Sequence, residues 1–182
     1  ARVVAANARR RRDALRAAGA PRPGISPGRL SRALAASVRP GDMLVDESLT
    51  SGRWLRRMPA GRRRGNWMAH RGSALGWGTP AAVGAALASP GRHVVCLQGD
   101  GSLVFGVPAL WTAARHGSRV GLVVADNSGY EILRAGLRSL TGRPGGAWPD
   151  VEVTGLAPAG LVRAFGVPVE RVDDARDLDA AL

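Results

Sequence analysis

The sequence predicts an α/β fold: an open, mostly parallel β-sheet with helices on both faces. Two short apolar runs, at 94–97 and 120–125, have the composition of strands that are buried on both faces of a parallel sheet. A helical segment at about 108–116 lies between them, so the three elements form a strand–helix–strand unit. Strands also alternate with helices along the rest of the chain, which is typical of an open α/β sheet.

The first residues are not expected to belong to this sheet. Residues 1–27 are rich in Arg and Ala and end in a run of Pro and Gly that breaks regular structure. We interpret them as the tail of a preceding domain and a linker, and residues 28–182 as one domain. The first residue is Ala rather than Met, and the last residues resemble a helix cut short, so we expect a piece of a longer polypeptide.

The other elements are predicted from caps, turns and apolar spacing. In chain order they are a helix at about 27–38 opened by Ser26-Pro27, a buried strand at 43–46, a helix through Trp54 and Leu55, an exposed Arg-rich loop at 59–66, a glycine-spaced loop at 72–78, a helix at 80–88 with Thr79 as N-cap, an irregular Gly/Pro-rich region at 134–155, a helix at 156–165 stopped by Gly166, a strand at 167–172 and a last helix after Asp174.

Composition excludes several classes of function. The net charge is +12, but all 26 basic residues are Arg and they form no stripe on a recognisable reading element, so we expect no nucleic-acid partner. The single cysteine, Cys96, excludes an internal disulfide and is interpreted as a small buried hydrophobe. No apolar run of about 18 residues is present, and no signal peptide is visible. The sequence therefore predicts a cytoplasmic protein with no membrane partner.

Polar residues follow both apolar strands. Asp100 follows the first strand and Asn127 follows the second, at the edge where ligands bind in open α/β sheets. Oxygen donors of this kind suit Mg²⁺, which shares its ligands with phosphates and water. Gly99 and Gly101 let the backbone approach a diphosphate, and the amides of Gly101 and Ser102 can form a small anion nest. The alternative is that both segments are ordinary turns.

Three segments resemble the thiamine-diphosphate-dependent enzymes in the same order and spacing. They are VDESLTSGRW, GSALGWGTPAAVGAAL and GDGSLVFGVPALWTAARHGSRVGLVVADNSGY, and the resemblance covers about residues 28–182. It is nearest to the benzoylformate decarboxylase and acetolactate synthase branch of that family. The resemblance implies the C-terminal, diphosphate-binding domain, with a six-stranded parallel sheet.

The resemblance also implies site residues, position by position. Mg²⁺ would be bound by Asp100, the side chain of Asn127 and the carbonyl of Gly129, and the diphosphate by Gly101, Ser102 and Thr50, with Gly99 and Tyr130 beside the cofactor. Leu75 would lie under thiamine and force it into a V shape, and the carbonyl of Ser73 would accept from the aminopyrimidine. His70 and Glu131 could face the substrate.

The side chains of Leu75, His70 and Glu131 each have a plainer interpretation. Leu75 could be a core residue, His70 structural and Glu131 a surface residue. The chain also departs from the family where Asp126 replaces a common Asn, and where Ser73-Ala74 replaces a common Gly-Gly. Asp126 could tighten cation binding or simply face solvent.

The function implied is that of a 2-oxoacid decarboxylase or carboligase working as a homodimer or homotetramer. The glutamate that activates the cofactor would come from the N-terminal domain of a second subunit, so the 182 residues alone are expected to be inactive. Neither Glu47 nor Glu131 takes the position of that glutamate. One alternative is an inactive paralogue that binds the cofactor for assembly or regulation. Another is a nucleotide-binding fold with Asp126 on a ribose, although the GxGxxG motif is missing.

Overall fold

The computed structural model describes residues 24–58, 67–69, 72, 74–143, 148–153 and 155–182. Its helices are α1 (Pro27–Ser37), α2 (Gly52–Leu55), α3 (Gly78–Ala88), α4 (Asp100–Gly106), α5 (Ala109–Arg115), α6 (Glu131–Thr141), α7 (Pro158–Arg163) and α8 (Leu178–Ala181), with a short 3-10 turn at Pro149–Val151. Its strands are β1 (Met43–Asp46), β2 (Trp67–Ala69), β3 (Val94–Gly99) and β4 (Val120–Ala125).

The four strands form one parallel sheet in the order β2-β1-β3-β4. In its register Asp46 pairs with Leu97, and Gly99 pairs with Ala125. The carboxyl ends of β1, β3 and β4 therefore meet at one edge of the sheet. The predicted α/β class, with an open parallel sheet, is confirmed.

Helices cover both faces of the sheet because alternate strand residues point to opposite sides. Leu44, Val95 and Leu97 belong to an apolar cluster with residues of α1 and α8. Val45, Val94 and Cys96 belong to a second cluster with residues of α3. A third cluster joins α4, α5 and α7 to Leu122 and Val124 of β4. This burial anchors the strand ends that carry the polar residues.

The beginning of α3 differs from the prediction. The helix begins at Gly78, with Trp77 at the N-cap position, instead of at Pro80 after a Thr79 cap. The hydroxyl of Thr79, which is buried, instead donates to Oε1 of Gln98 at 2.9 Å. A tertiary hydrogen bond to the neighbouring strand has thus replaced the local cap that the sequence suggested.

The region 134–155 is not uniformly irregular, because α6 occupies its first part. Gly136 lies in open space and costs the helix about 1 kcal/mol relative to Ala. The pair of Glu131 with Arg134, three residues apart, offsets part of this cost. Gly142 ends the helix in the left-handed conformation at φ 66°. The prediction of an irregular segment is therefore wrong for residues 134–141.

The predicted strand at 167–172 forms no ladder with the sheet. Val167 and Val169 pack with the cluster that contains Leu122, and Val172 packs with the cluster on the opposite face. The segment thus alternates its side chains as a strand would, without the backbone pairing. Within the described residues the sheet has four strands instead of the six that the family resemblance implies, one of them the unpredicted β2.

The other predicted helices are present with shifted ends. Ser26 caps α1 by accepting the N–H of Arg29 at 3.2 Å, and Gly166 follows α7 at φ 77°. The predicted Arg-rich loop at 59–66 lies outside the described residues. In the part of the chain that is described, no helix combines the length and apolar character needed to cross a membrane.

Cys96 is expected to be inert in the native protein. Burial, followed by the negative charges of Glu47 and Asp46, raises the pKa of its thiol well above the usual value. Because the thiolate is the reactive form, a thiol reagent at pH 8 should label the native protein at least about a hundredfold more slowly than the unfolded protein. Absorbance of the released chromophore measures both rates. Labelling of the native protein at the unfolded rate would contradict this burial.

Candidate functional site

An open cleft lies at the carboxyl edge of the sheet. Three strand-end segments and the loop before α3 contribute to its walls. Of the residues predicted for the site, the following line it: Thr50, Leu75, Gly99, Asp100, Gly101, Ser102, Asn127, Gly129, Tyr130 and Glu131. His70 and Ser73 lie outside the described residues.

Asp100 is the centre of this edge. It follows β3 directly and is the first residue of α4, where an acidic side chain interacts favourably with the helix dipole. The residue is 2% exposed. Its Oδ1 accepts the N–H of Gly101 at 2.9 Å, and its Oδ2 accepts the N–H groups of Asn127 at 3.3 Å and Gly129 at 3.2 Å. One carboxylate thus joins the ends of β3 and β4.

The loop after β4 is a sharply turned segment over residues 126–129. Ser128 has φ 54°, the one positive value among the described residues other than glycine. The carboxylate of Asp126 is exposed and accepts the N–H of Ser128 at 3.4 Å, so Asp126 supports the turn from its solvent side. The N–H of Tyr130 donates to Val151 O, and the N–H of Val153 donates to Ser128 O, both at 2.9 Å.

Arg134 supports the same loop from α6, and sequence reasoning missed it. Its guanidinium donates to the carbonyl of Asn127 at 3.4 Å and to that of Ser128 at 3.0 Å. It also forms a salt bridge with Glu152 and lies 3.6 Å from Glu131. A side chain at Gly129 would collide with this guanidinium. No pattern in the sequence indicates this role of Arg134, because its partners in the loop are backbone carbonyls.

The segment after Asp100 forms a narrow cradle. A Cβ atom at Gly101 would lie 2.5 Å from Cε1 of Tyr130, so only glycine fits there without moving the ring. The hydroxyl of Ser102 is buried and has no hydrogen-bond partner in the described part of the chain. The proposed anion nest needs one correction: the N–H of Gly101 already donates to Asp100 and does not point freely into the cleft.

Leu75 forms part of the opposite wall and is 41% exposed, so it is not a core residue within the described structure. The loop that carries it is attached to Glu47, which follows β1 and also lines the cleft. One carboxylate oxygen of Glu47 accepts the N–H of Gly76, and the other accepts the N–H of Gly78 at 2.5 Å.

Three carboxylates, those of Glu47, Asp100 and Glu131, are among the groups that line the cleft. No three His, Cys, Asp or Glu side chains converge on a possible metal position within the ranges described. A divalent cation here would therefore need amide or carbonyl oxygens beside Asp100. Asn127 and Gly129 supply both kinds. The carbonyl of Gly129 accepts one N–H, from Glu131 at 3.1 Å, and a carbonyl oxygen has a second lone pair.

The fold and the cleft together define a class of protein. An open parallel sheet with a buried acid, an amide and a glycine cradle at its carboxyl edge is suited to small phosphorylated ligands. Comparison with known proteins narrows this class. Residues 50–182 match the family described as "Thiamine pyrophosphate enzyme, C-terminal TPP binding domain", and the chain belongs to this family.

Relatives of known name agree with this assignment. The chain is 36% identical over 177 residues to "Putative acetolactate synthase large subunit IlvX" of Mycobacterium tuberculosis, covering 91% of this chain and 34% of the relative. It is also 35% identical over 123 residues to benzoylformate decarboxylase of Pseudomonas aeruginosa. That match covers 66% of this chain and 22% of the relative.

A solved structure shares the fold. The thiamine diphosphate-dependent 4-hydroxybenzoylformate decarboxylase of Rhodococcus jostii RHA1 superimposes with a TM-score of 0.80 at 31% identity, over 89% of this chain and 30% of that one. The chain thus spans about a third or less of the length of these relatives.

Removing the guanidinium of Arg134 should loosen the loop at 126–129. In Arg134→Ala, the amides of Asn127 and Gly129 are expected to exchange with deuterium about tenfold faster, because the loop loses a charged donor to two carbonyls. Arg138→Ala is the matched control, since Arg138 pairs with Glu131 on the same helix. Equal exchange rates in the two variants would contradict the support assigned to Arg134.

Proposed function

We propose that this chain is the cofactor-binding part of a 2-oxoacid decarboxylase or carboligase related to benzoylformate decarboxylase and acetolactate synthase. The observation that carries the proposal is the buried carboxylate of Asp100, held at the sheet edge beside Asn127 and Gly129 in a chain of this family. The domain would extend over residues 28–182, with residues 1–27 as the linker from a preceding domain.

Mg²⁺ would be bound by Asp100, the side-chain amide of Asn127 and the carbonyl of Gly129. These are the hard oxygen ligands that Mg²⁺ prefers, and they leave positions for phosphate oxygens and water. The fit is supported by the turn itself, because Asp100 accepts the N–H groups of Asn127 and Gly129 while Arg134 donates to the carbonyl of Asn127. Asp126 would add negative charge nearby without being a ligand.

The diphosphate would lie against Ser102, Gly101 and Thr50. The buried hydroxyl of Ser102 supports this placement, since a buried polar atom normally has a partner and this one has none among the described residues. Gly99 and Gly101 keep side chains out of the cradle, and the ring of Tyr130 closes it against Gly101. A diphosphate oxygen would give Ser102 its missing partner.

Leu75 would form the floor beneath the thiamine rings, which its exposure in the cleft allows. The carbonyl of Ser73 would accept from the aminopyrimidine, and His70 and Glu131 would lie toward the substrate. Glu131 lies in the cleft wall, where its carboxylate is paired with Arg138 and lies near Arg134.

Thiamine diphosphate, when bound, supplies a nucleophilic carbon and an electron sink for breaking the bond to the carboxylate of a 2-oxoacid. The residues of this chain would bind and orient the cofactor through its diphosphate tail. The glutamate that activates it would come from the N-terminal domain of a second subunit in a homodimer or homotetramer. Exposed apolar side chains on α4 and α5 support such a partner: Phe105 is 60% exposed and Trp111 is 58% exposed.

Asp100→Asn should abolish Mg²⁺-dependent binding of thiamine diphosphate in the full-length protein, with affinity falling at least about a hundredfold, because the charged metal ligand is lost. Isothermal titration calorimetry measures the affinity with and without Mg²⁺. Asp126→Asn is the matched control: it removes one carboxylate from the exposed side of the same loop and should change affinity about threefold or less. Unchanged binding by a folded Asp100→Asn variant would refute the ligand assignment.

The full-length protein should release CO₂ from a 2-oxoacid, whereas the 182 residues alone should not. Benzoylformate and pyruvate are the first substrates to assay, by coupled detection of CO₂ with thiamine diphosphate and Mg²⁺ present. Cofactor binding by the full-length protein without turnover of any 2-oxoacid would favour the inactive paralogue. Turnover by the 182-residue chain would overturn the need for a second domain.

A further inference from the structure

Glu47 is a buried carboxylate that no step above uses. It is 3% exposed, and its backbone N–H donates to Leu97 O at 2.9 Å, which extends the pairing of β1 with β3. The side chain therefore starts from a fixed point of the sheet. No cationic side chain among the described residues lies within ion-pair distance of its carboxylate.

Both oxygens of Glu47 are instead directed at one loop. Gly76 donates its N–H to one oxygen, and Gly78 donates its N–H to the other at 2.5 Å. Hydrogen bonds to an ionised acceptor are stronger than those between neutral groups. The two bonds therefore fix the backbone immediately after Leu75.

The loop has little room to move away from this position. A Cβ atom at Gly78 would lie 2.5 Å from Oε2 of Glu47, and one at Gly76 would collide with Cβ of Phe105 on α4. Gly76 also has φ 88°, which other residues rarely adopt. The backbone is thus held between the Glu47 carboxylate on one side and α4 on the other, with Leu75 exposed to the cleft.

We propose that Glu47 is a positioning residue: it fixes the backbone that follows Leu75 and so holds the Leu75 side chain in position beneath the bound cofactor. The inference rests on the proposed function, because it assumes that thiamine diphosphate lies over Leu75. Glu47 would act through the backbone of Gly76 and Gly78 and would not touch the reacting atoms. A carboxylate is suited to this role because it presents two acceptors to two N–H donors.

The test uses Glu47→Gln in the full-length protein. Glutamine keeps the size of the side chain but presents one acceptor and one NH₂ group, so one backbone N–H would face another donor. We expect thiamine diphosphate to bind about tenfold more weakly in the presence of Mg²⁺. The near-UV circular dichroism of the bound cofactor should also change, because this signal depends on the conformation imposed on an achiral molecule.

A double-mutant cycle with Leu75→Ala tests whether Glu47 acts through Leu75. In the Leu75→Ala background, Glu47→Gln should weaken binding about twofold or less, because the side chain that Glu47 positions is already absent. Additive effects of the two substitutions would overturn the proposal. If Glu47→Gln does not fold, Glu47→Asp takes its place, since it keeps both acceptors but withdraws them by one methylene group.

Val162→Ala is the control for a loss of stability alone. Val162 is buried on α7 and does not itself line the cleft, and truncating it should lower the melting temperature with unchanged cofactor affinity and dichroism. A Glu47 variant that behaves like Val162→Ala would show that Glu47 is merely structural. Failure of the unmodified full-length protein to bind thiamine diphosphate would instead refute the proposed function, a result separate from either outcome for Glu47.

Discussion

The arrangement of the cleft depends on the burial of the Asp100 carboxylate. Taking a charge out of water is costly unless hydrogen bonds replace its solvation, and here three backbone N–H groups do so. Two of the donors, Asn127 and Gly129, belong to the loop after β4, whereas Asp100 itself follows β3. Satisfying one buried charge therefore brings the ends of two strands into a fixed relation, and the same arrangement gathers the oxygen donors proposed for Mg²⁺.

Charged side chains support both walls of the cleft, one by accepting backbone N–H groups and the other by donating to backbone carbonyls. Glu47 accepts N–H groups from the loop that carries Leu75, while Arg134 donates to carbonyl groups of the loop that carries Asn127. Each support comes from an element outside the loop that it holds, and each has charge that strengthens the bond. The positions of backbone atoms in the cleft thus depend on side chains that would not themselves touch the reacting atoms.

The parallel sheet and its ligand-binding edge could be predicted because apolar strands followed by polar residues leave a direct pattern in the sequence. The strand predicted at 120–125 has the bounds of β4. The sequence does not predict α6 because Gly136 and the Gly/Pro-rich run after Thr141 resemble a loop. The ion pairs of Glu131 with Arg134 and Arg138 give no independent signal, since these side chains meet only once the segment is helical. The supports given by Glu47 and Arg134 could not be predicted, since their partners are backbone groups that any residue type carries.

Close packing also explains why glycine occurs at particular places in and beside the cleft. At Gly101 a side chain would meet the ring of Tyr130, and at Gly129 it would meet the guanidinium of Arg134. At Gly78 it would meet the carboxylate of Glu47. In each case the absent side chain leaves room for a residue that closes or supports the cleft, and not only for a ligand. A glycine motif in this sequence therefore indicates close packing within the protein as much as close approach to phosphate, and the partner of each glycine decides between the two.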